Sequence, residues 1–437
     1  MYLLYSALLA VGLILSLPYW IYQMLRYGKY RAGFRQRLGA VPPSLHGTAA
    51  QRTIWFHAVS VGEVLAISGL VEHLRERWPD RRVVVSTTTD TGQKLARARF
   101  GEGNVFYFPL DLGFAIAPYL QALRPELIVI AETEFWPNFL RLANRSGARI
   151  AVVNARISDR SLPGYKRFRW WLPKILSDVD LFLAQTWEDR KRLVAIGAVE
   201  TRVEVTGNLK FDISPPPDPP VLASLRDNFQ TSGASPVLVC GSTVDEEEER
   251  MLLQAFQNIL ASYPHAVMIL APRHPERFPV VAALLESLGI RFWRRSLWNG
   301  EPISGGVILL DSIGELAAIY GLADIAFVGG SLVPKGGHNI IEPARHGVAI
   351  VVGNHTENFR DIIWLFQTQD AVRIVGPAEL PLVFMELISN ETERKALGAR
   401  AADVIRSQAG ATEKTFAALE KLLPAPRTAA GMSATQS

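Results

Sequence analysis

One cysteine, Cys240, stands among the 437 residues, so no intramolecular disulfide can form, and the chain fits a reducing compartment. Neither a G-x-G-x-x-G fingerprint nor a G-x-x-x-x-G-K-[ST] loop occurs, which argues against a dinucleotide oxidoreductase and a phosphate-loop NTPase. The eight histidines include no closely spaced pair with a third ligand beside it, so no metal site is expected. The formal net charge of +4 is accounted for by one cluster. Arg26, Lys29, Arg31, Arg35 and Arg37 follow one another with no acidic residue among them, and without these five the 46 basic residues fall to 41 against 42 acidic ones. A nucleic-acid binder spreads excess positive charge over a face or groove, so no nucleic-acid partner is expected. With 49% hydrophobic and 20% charged residues the chain is not mainly disordered, and its length calls for two cores rather than one.

Charge is also missing from Tyr2 to Leu25. At about 1.5 Å per helical residue such a segment is long enough to cross a hydrocarbon core about 30 Å thick. It starts apolar and ends in aromatics and arginines, unlike a cleavable signal peptide, so residues 1–25 are expected to be an uncleaved, spanning anchor. Pro18, Tyr19, Trp20 and Tyr22 leave open a helix that bends and lies partly in the interface. The basic cluster after it places the following chain on the cytoplasmic side.

From Thr53 onward, short Val- and Ile-rich runs alternate with longer amphipathic stretches, the pattern of parallel strands joined by helices. Strands are expected at Thr53–Ala58, Arg82–Thr87, Val105–Pro109, Leu127–Ala131, Arg149–Asn154, Leu181–Ala184 and Val203–Thr206. Five prolines between residues 214 and 220 interrupt the pattern and mark a linker. Strands resume near Val237–Cys240, Ala266–Ala271, Gly306–Leu310, Ile325–Val328 and Ala349–Val352. The expectation is an α/β chain: a first doubly wound, Rossmann-like domain over 26–213, a linker over 214–220, a second such domain over 221–426, and a frayed tail over 427–437. A cleft between the two domains is the default ligand site.

Three strand ends carry candidate chemistry. Ser60-Val-Gly62-Glu63 follows the first strand; its spacing is that of a capping box, in which Ser60 bonds the Glu63 amide and the Glu63 carboxylate returns to the Ser60 amide. On spacing alone the capping box is the preferred reading, yet a carboxylate at that place is also well placed as a general base, its ionised form favoured by the helix N-terminus. Glu132-Thr-Glu134 follows the fourth strand, where an extended chain would aim only one of the two carboxylates into a cleft; a solvated turn is the plain alternative. After Ala326–Val328 comes Gly329-Gly330-Ser331-Leu-Val-Pro-Lys-Gly336-Gly337-His338-Asn339-Ile-Ile-Glu342, whose order of strand, glycine loop and helix start offers free amides to a phosphate. Asn339 and Glu342 have N-cap and N3 spacing, and Glu342 could instead accept ribose hydroxyls. Ser242, Thr243, Arg273, His274 and Ser312 also follow strands of the second half. Finally, Arg156, Arg160, Lys166, Arg167, Arg169 and Lys174 interleave with Tyr165, Phe168, Trp170 and Trp171, a composition suited to an anionic membrane surface or lipid phosphates, or to an exposed helix with a buried aromatic stripe.

These residues resemble one family closely, the 3-deoxy-D-manno-octulosonic acid (Kdo) transferases of lipopolysaccharide synthesis, glycosyltransferase family 30. The resemblance runs through His57-Ala-Val-Ser-Val-Gly-Glu63, Glu132-Thr-Glu-Phe-Trp-Pro-Asn138, Asn154-Ala-Arg156, Gly207-Asn-Leu-Lys-Phe-Asp212, Pro272-Arg-His-Pro-Glu-Arg-Phe278, Gly329-Gly-Ser331 and Gly336-Gly-His-Asn339. It implies a GT-B fold, CMP-Kdo as donor, a lipid A precursor (lipid IVA) as acceptor, an inverting reaction with no cofactor, and a place on the cytoplasmic side of the bacterial inner membrane. On this resemblance Glu63 is the base, with Glu132 or Glu134 supporting the acceptor side. Ser242, Thr243, Arg273, His274, Ser312, Gly330, Ser331, Gly336, Gly337, His338, Asn339 and Glu342 would face the donor. Ser60, Gly62, Arg156, Lys166, Arg167, Arg169, Trp170 and Trp171 would face the acceptor and the phospholipid surface. Thr243-Val-Asp-Glu departs from the family's usual Thr-His-x-Gly, which puts donor contacts there in question. Two rival classes remain, a membrane-tethered nucleotide-sugar epimerase and a non-catalytic lipid-binding protein; the first would need no lipid, and the second would release no CMP.

Overall fold

The computed structural model describes residues 1–27, 31–46, 52–159, 161–213 and 217–423. Lys29, Arg160, the first three residues of the expected linker and the expected tail lie outside them. The chain forms two compact units, Met1–Ile213 with Gly410–Ser437, and Ser214–Ala409.

The first lobe is built on a seven-stranded sheet of β1 (Arg52–His57), β2 (Arg81–Thr87), β3 (Val105–Tyr107), β4 (Pro125–Ala131), β5 (Arg149–Ala155), β6 (Leu181–Ala184) and β7 (Val203–Val205), in the order β3-β2-β1-β4-β5-β6-β7. The pairings are parallel. The strands are apolar in both registers because both sheet faces are covered. Trp55, Val84, Ile128, Ile130, Ile150 and Val152 belong to one core, and their neighbours Ile54, Phe56, Val83, Val85, Leu127, Val129, Ala151 and Val153 to the other. Residues one apart thus go to opposite faces, as the pleat requires. Strand order reverses between β1 and β4, so the segments after these two strands lie side by side at the switch point where open sheets bind ligands.

The second lobe repeats the plan with β8 (Val237–Thr243), β9 (Val267–Pro272), β10 (Phe292–Arg294), β11 (Gly306–Leu309), β12 (Ile325–Val328), β13 (Ala349–Gly353) and β14 (Arg373–Val375), ordered β10-β11-β9-β8-β12-β13-β14 and again parallel. Its switch point is β8/β12, which adjoins Ser242 at the end of β8 and the loop starting at Gly329. The two edge strands β10 and β14 are not anticipated by the sequence. Each has three residues, mostly half-buried, too short and too mixed to give a period-2 or all-apolar signal.

The boundary expected at residue 426 is corrected. The helix Ala411–Glu420 returns to the first lobe, where Phe416, Ala418, Leu419 and Leu423 complete the core that holds Ile54 and Val129. Asp212 fixes its start by accepting from the amides of Gly410 (2.9 Å) and Thr412 (2.6 Å), and Thr415 donates to Thr206 at 3.1 Å. The amphipathic pattern of the helix is clear in sequence, but nothing in it names which core it covers.

At the other end a helix runs from Tyr2 to Tyr27, through Pro18 and two residues past the expected limit. Among the described residues it alone is long and apolar enough to cross a membrane.

Phe416 touches the rings of His73 and Trp78, with centroids 4.5 and 5.2 Å away. Its replacement by alanine is expected to destabilise the first lobe by about 3 kcal/mol, read as an earlier transition in urea unfolding.

Candidate active site

The carboxyl end of β1 leads directly into the helix Val61–Arg77, and Ser60 is its N-cap in an extended conformation. The expected capping box is not formed. Ser60 donates its hydroxyl to Glu63 Oε1 at 2.8 Å rather than accepting from the Glu63 amide, and Glu63 Oε2 accepts from the Val59 amide at 2.7 Å, one residue earlier than the box requires. Glu63 is therefore held by two donors at a fixed place over the strand end, with 8% of its surface exposed. Burial, and then the charge of Glu132, push its carboxyl up to about 7 against the pull of the Val59 and Ser60 hydrogen bonds, and Glu134 adds a smaller push. The expectation of a fully ionised carboxylate is corrected accordingly: at neutral pH Glu63 is poised between its two forms, because desolvation and like charge outweigh the helix end. An added Cβ at Gly62 would approach only the Ser60 hydroxyl, at 4.0 Å, so the ground beside this pair is open.

The second pair of carboxylates does not follow strand alternation. Glu132 adopts a left-handed backbone (φ 59°), so the chain leaves the pleat at the end of β4 and the opposite-face argument no longer applies. Both Glu132 and Glu134 bear electrostatically on Glu63. Glu132 Oε1 accepts from Lys210 Nζ at 2.9 Å. Glu134 is raised by burial first and by Glu132 second.

Two residues that complete this arrangement were not singled out by sequence reasoning as site residues. Asn154, at the end of β5, is left-handed too (φ 53°) and 1% exposed; its Oδ1 accepts from the Leu209 amide at 3.0 Å. Lys210, next along that loop, meets Glu132. Gly207–Asp212 is therefore the brace that joins the ends of β4 and β5 to the returning helix. The signal was present as a motif, but its partners are 55 to 200 residues away in sequence. His57, first in the His57–Glu63 motif, is a core residue: fully buried, stacked 3.9 Å from Phe108, 3.0 Å from the Ser86 hydroxyl, and held neutral by burial, which lowers it to about 3.

In the basic aromatic segment, Thr133 donates to the Arg156 carbonyl at 3.0 Å, and Phe135 packs on Tyr165 with centroids 6.0 Å apart. This ties the segment to the loop bearing Glu132 and Glu134. Lys166, Arg167 and Arg169 are exposed, as are Phe168 (53%) and Trp170 (67%). Trp171 is corrected: it turns inward and packs against Tyr2 and Tyr5 of the N-terminal helix, with both centroids 5.7 Å away.

In the second lobe, the largest correction concerns the glycine-rich loop. Its leading amides are not free. Glu248, fully buried in the first turns of the helix Glu246–Ser262, accepts from Gly330 (2.8 Å), Ser331 (3.1 Å) and Leu332 (3.2 Å), and from Val244 at 3.3 Å. A protein carboxylate fills the position assigned to a phosphate, and burial pushes it up while the four amides pull it down. The glycines answer to crowding: Gly336 is left-handed (φ 87°) and a Cβ there would lie 2.4 Å from Asn358, while at Gly330 (φ 69°) it would meet the His338 ring at 3.0 Å. The Ser331 hydroxyl is likewise engaged, donating to the Val328 carbonyl and accepting from the Gly353 amide. Thr243 is also committed, buried and donating to Glu249 at 3.0 Å, which in turn binds Arg277. Ser312 donates to Glu315, itself paired with Arg295 at 2.8 Å.

What remains for an anion is the neighbourhood of Arg273 and His274, both exposed after β9. Burial first, and then the neighbouring Arg273 and His274, lower His338 to about 4, so it is neutral, and its Nε2 is buried without a hydrogen-bond partner. Asn339 accepts from the Ile341 amide at 3.1 Å and hydrogen-bonds Glu342, whose burial raises it against the fields of Arg273 and Arg345. The structure thus brings Arg273, His274, His338, Asn339 and Glu342 together, with Gly337 beside them, and leaves Thr243 and Ser312 engaged elsewhere. Ser242, left-handed (φ 60°) at the end of β8, is half-buried. Backbone strain of this kind concentrates at functional strand ends.

Removal of the Glu132 charge by Glu132→Gln is expected to shift the Glu63 titration to lower pH, since that charge is the second cause of its elevation; infrared titration of the carboxyl band checks this. Glu248→Ala orphans four amides and is expected to cost about 3 kcal/mol or more of second-lobe stability, read by thermal unfolding.

A family profile described as 3-deoxy-D-manno-octulosonic-acid transferase matches residues 32–213. The chain is 34% identical to the 3-deoxy-D-manno-octulosonic acid transferase of Haemophilus influenzae over 89% of its length and 92% of the relative's. It is 34% identical to that of Bordetella pertussis over 92% and 95%. Among solved structures, a glycosyltransferase from Rickettsia africae is 13% identical over 86% of this chain and all of the other, with a TM-score of 0.56, a likeness of fold alone. That fold is GT-B, two doubly wound domains. Residues 32–213 of the profile include the Glu63 site and its Lys210 brace, and with relatives of this identity spanning nearly the whole chain, the protein belongs to the Kdo transferase family of glycosyltransferases.

Proposed function

We propose that the protein transfers Kdo from CMP-Kdo to a lipid A precursor such as lipid IVA, with inversion at the anomeric carbon, at the cytoplasmic face of a bacterial inner membrane. The observation that carries this reading is Glu63, a carboxyl held by two donors at the β1/β4 switch point and pushed up to about 7. A base whose pKa lies near the working pH combines a useful ionised fraction with real proton affinity.

In this reading an acceptor hydroxyl gives its proton to Glu63 while its oxygen forms the bond to the anomeric carbon, and the bond from that carbon to the CMP phosphate oxygen breaks on the opposite side. The electron pair leaves with CMP, a stable phosphate anion, so no strong general acid and no cofactor are called for. Arg273 supplies positive charge for the departing phosphate, His274 stands beside it, and the neutral His338 can share a hydrogen bond through its unpartnered Nε2. The Lys210–Glu132 pair keeps one of the two neighbouring carboxylates compensated, which limits how far Glu63 is driven upward. Exposed Lys166, Arg167 and Arg169 suit the phosphates of a lipid acceptor, and Phe168 and Trp170 suit its bilayer.

Glu63→Gln is expected to lower transfer at least about a hundredfold while CMP binding and the unfolding midpoint are retained. Mass spectrometry of the lipid formed from CMP-Kdo and a purified lipid A precursor reads the first, and calorimetry the others. Near-normal turnover by this variant would overturn the base assignment, and CMP release without any lipid acceptor would overturn the transfer reading.

A further inference from the structure

The start of the N-terminal helix and residues 33–40, which follow it in the chain, are both fastened to the same lobe. At its start, Tyr2 is 9% exposed, with its ring edge-on to Trp171 and the Arg141 guanidinium 4.3 Å above it. Its hydroxyl reaches Asp178 at 3.4 Å. One turn on, Tyr5 packs on Trp171 and hydrogen-bonds Asp111, and the Ser6 hydroxyl accepts from Asn138 Nδ2 at 2.9 Å. Asp111 also receives the Asn138 and Phe139 amides, so the first turn of the helix is locked into the start of the helix Pro137–Arg145. Beyond its other end, residues 33–40 are built into the edge of the same sheet: Gln36 accepts from the Tyr107 amide at 2.9 Å, Arg37 donates to the Thr88 carbonyl at 2.6 Å, and the Arg37 carbonyl accepts from Leu110 at 2.8 Å.

A helix of 26 residues is about 39 Å long. If it crossed the bilayer, Tyr2 would stand on the far side of about 30 Å of hydrocarbon from the lobe that holds residues 33–40. The contacts of Tyr2 with Asp178 and Arg141, and of Ser6 with Asn138, forbid that. Yet none of the most apolar stretch of the helix is buried in the protein. Leu4 (61%), Leu8 (64%), Val11 (52%) and Leu15 (76%), spaced by four, three and four, form a bare stripe of the kind that marks a membrane or a protein contact, and the basic and aromatic residues near it favour lipid. The docked first turn also adjoins the headgroup-seeking end of the lobe, because Trp171 stacks on exposed Trp170 at 6.4 Å, with Arg169 next in sequence. No carboxylate precedes Glu63 in the sequence, so nothing on this segment repels an anionic surface.

We infer that the helix enters and leaves the same face of the bilayer, embedded in the near leaflet of a phospholipid membrane, with its first turn pinned to the lobe by Asn138, Asp111 and Trp171. This replaces the spanning anchor expected from length and hydropathy. It also gives Asn138 a role: the loop that begins with Glu132 ends on the residue that holds the membrane element, which fixes the height of the carboxylate site above the lipid. The inference rests on the first lobe alone and stands apart from the transferase reading.

The test uses the full chain in phosphatidylethanolamine–phosphatidylglycerol vesicles, with the lobes outside as judged by protease access. Leu4→Cys and Leu25→Cys variants each carry an NBD fluorophore; native Cys240 is buried and does not compete. Dithionite added outside is expected to quench both positions at rates within a few-fold of each other. Protection of position 4 until the vesicles are opened, with position 25 quenched at once, would overturn the inference. A second measurement does not depend on dye depth: in intact membranes a short bifunctional maleimide should bridge Ser6→Cys and Asn138→Cys within one chain, and failure to bridge while both thiols remain reactive in detergent would overturn it as well.

Discussion

A carboxylate removed from water must find donors, find a counter-charge or take up a proton, and the places where this chain's strands pass into helices are governed by which of these each glutamate obtains. Glu63 finds two donors and two unfriendly neighbours, so it sits near half-ionisation. Glu132 finds Lys210. Glu248 finds four amides. The left-handed backbones at Glu132, Asn154 and Ser242 are part of the same settlement, since each turns the chain out of the pleat where an unstrained strand would alternate its side chains away from the switch point.

The comparison of Glu63 with Glu248 shows how one local design is put to two uses. Each lies third in its helix, three residues after a capping residue, Ser60 in one lobe and Asp245 in the other, and each reaches back to the amide four residues before it. In the second lobe the glycine loop after β12 closes over the carboxylate and spends the amides of Gly330, Ser331 and Leu332 on it. In the first lobe, among the described residues, the second oxygen of Glu63 meets the Ser60 hydroxyl, and the residues after β4 bring like charge rather than amides. The same spacing thus gives a structural knot in one lobe and a carboxyl raised by burial and like charge at the strand switch point in the other.

The brace formed by Gly207–Asp212 links these local events to stability. Its Leu209 amide engages Asn154, its Lys210 engages Glu132, and its Asp212 holds the start of the helix that the chain sends back after completing the second lobe. The carboxylate site and the closure of the first core therefore share one short segment, and the order of the motifs along the chain hides this because the partners are drawn from three distant stretches.

Both sheets and their parallel sense were legible from residues, because strands buried on two faces read as unbroken Val and Ile runs and only helices can connect them. The candidate glutamates were legible as residues at strand ends, but spacing alone did not separate a capping or turn role from a chemical one. Three-residue edges such as Phe292–Arg294 were not legible, because a half-buried edge has neither an apolar run nor an alternation. Sequence by itself determined where the strands, the apolar helix and the charged strand ends would be, for these follow from local periodicity and solvation. Only the tertiary structure decided what each charge would meet: that amides of the glycine loop go to Glu248, that Lys210 answers Glu132, that the last helix covers the first core, and that Tyr2 returns to Asp178. Those outcomes depend on contacts across tens to hundreds of residues, and a period of two or 3.6 carries no information about them.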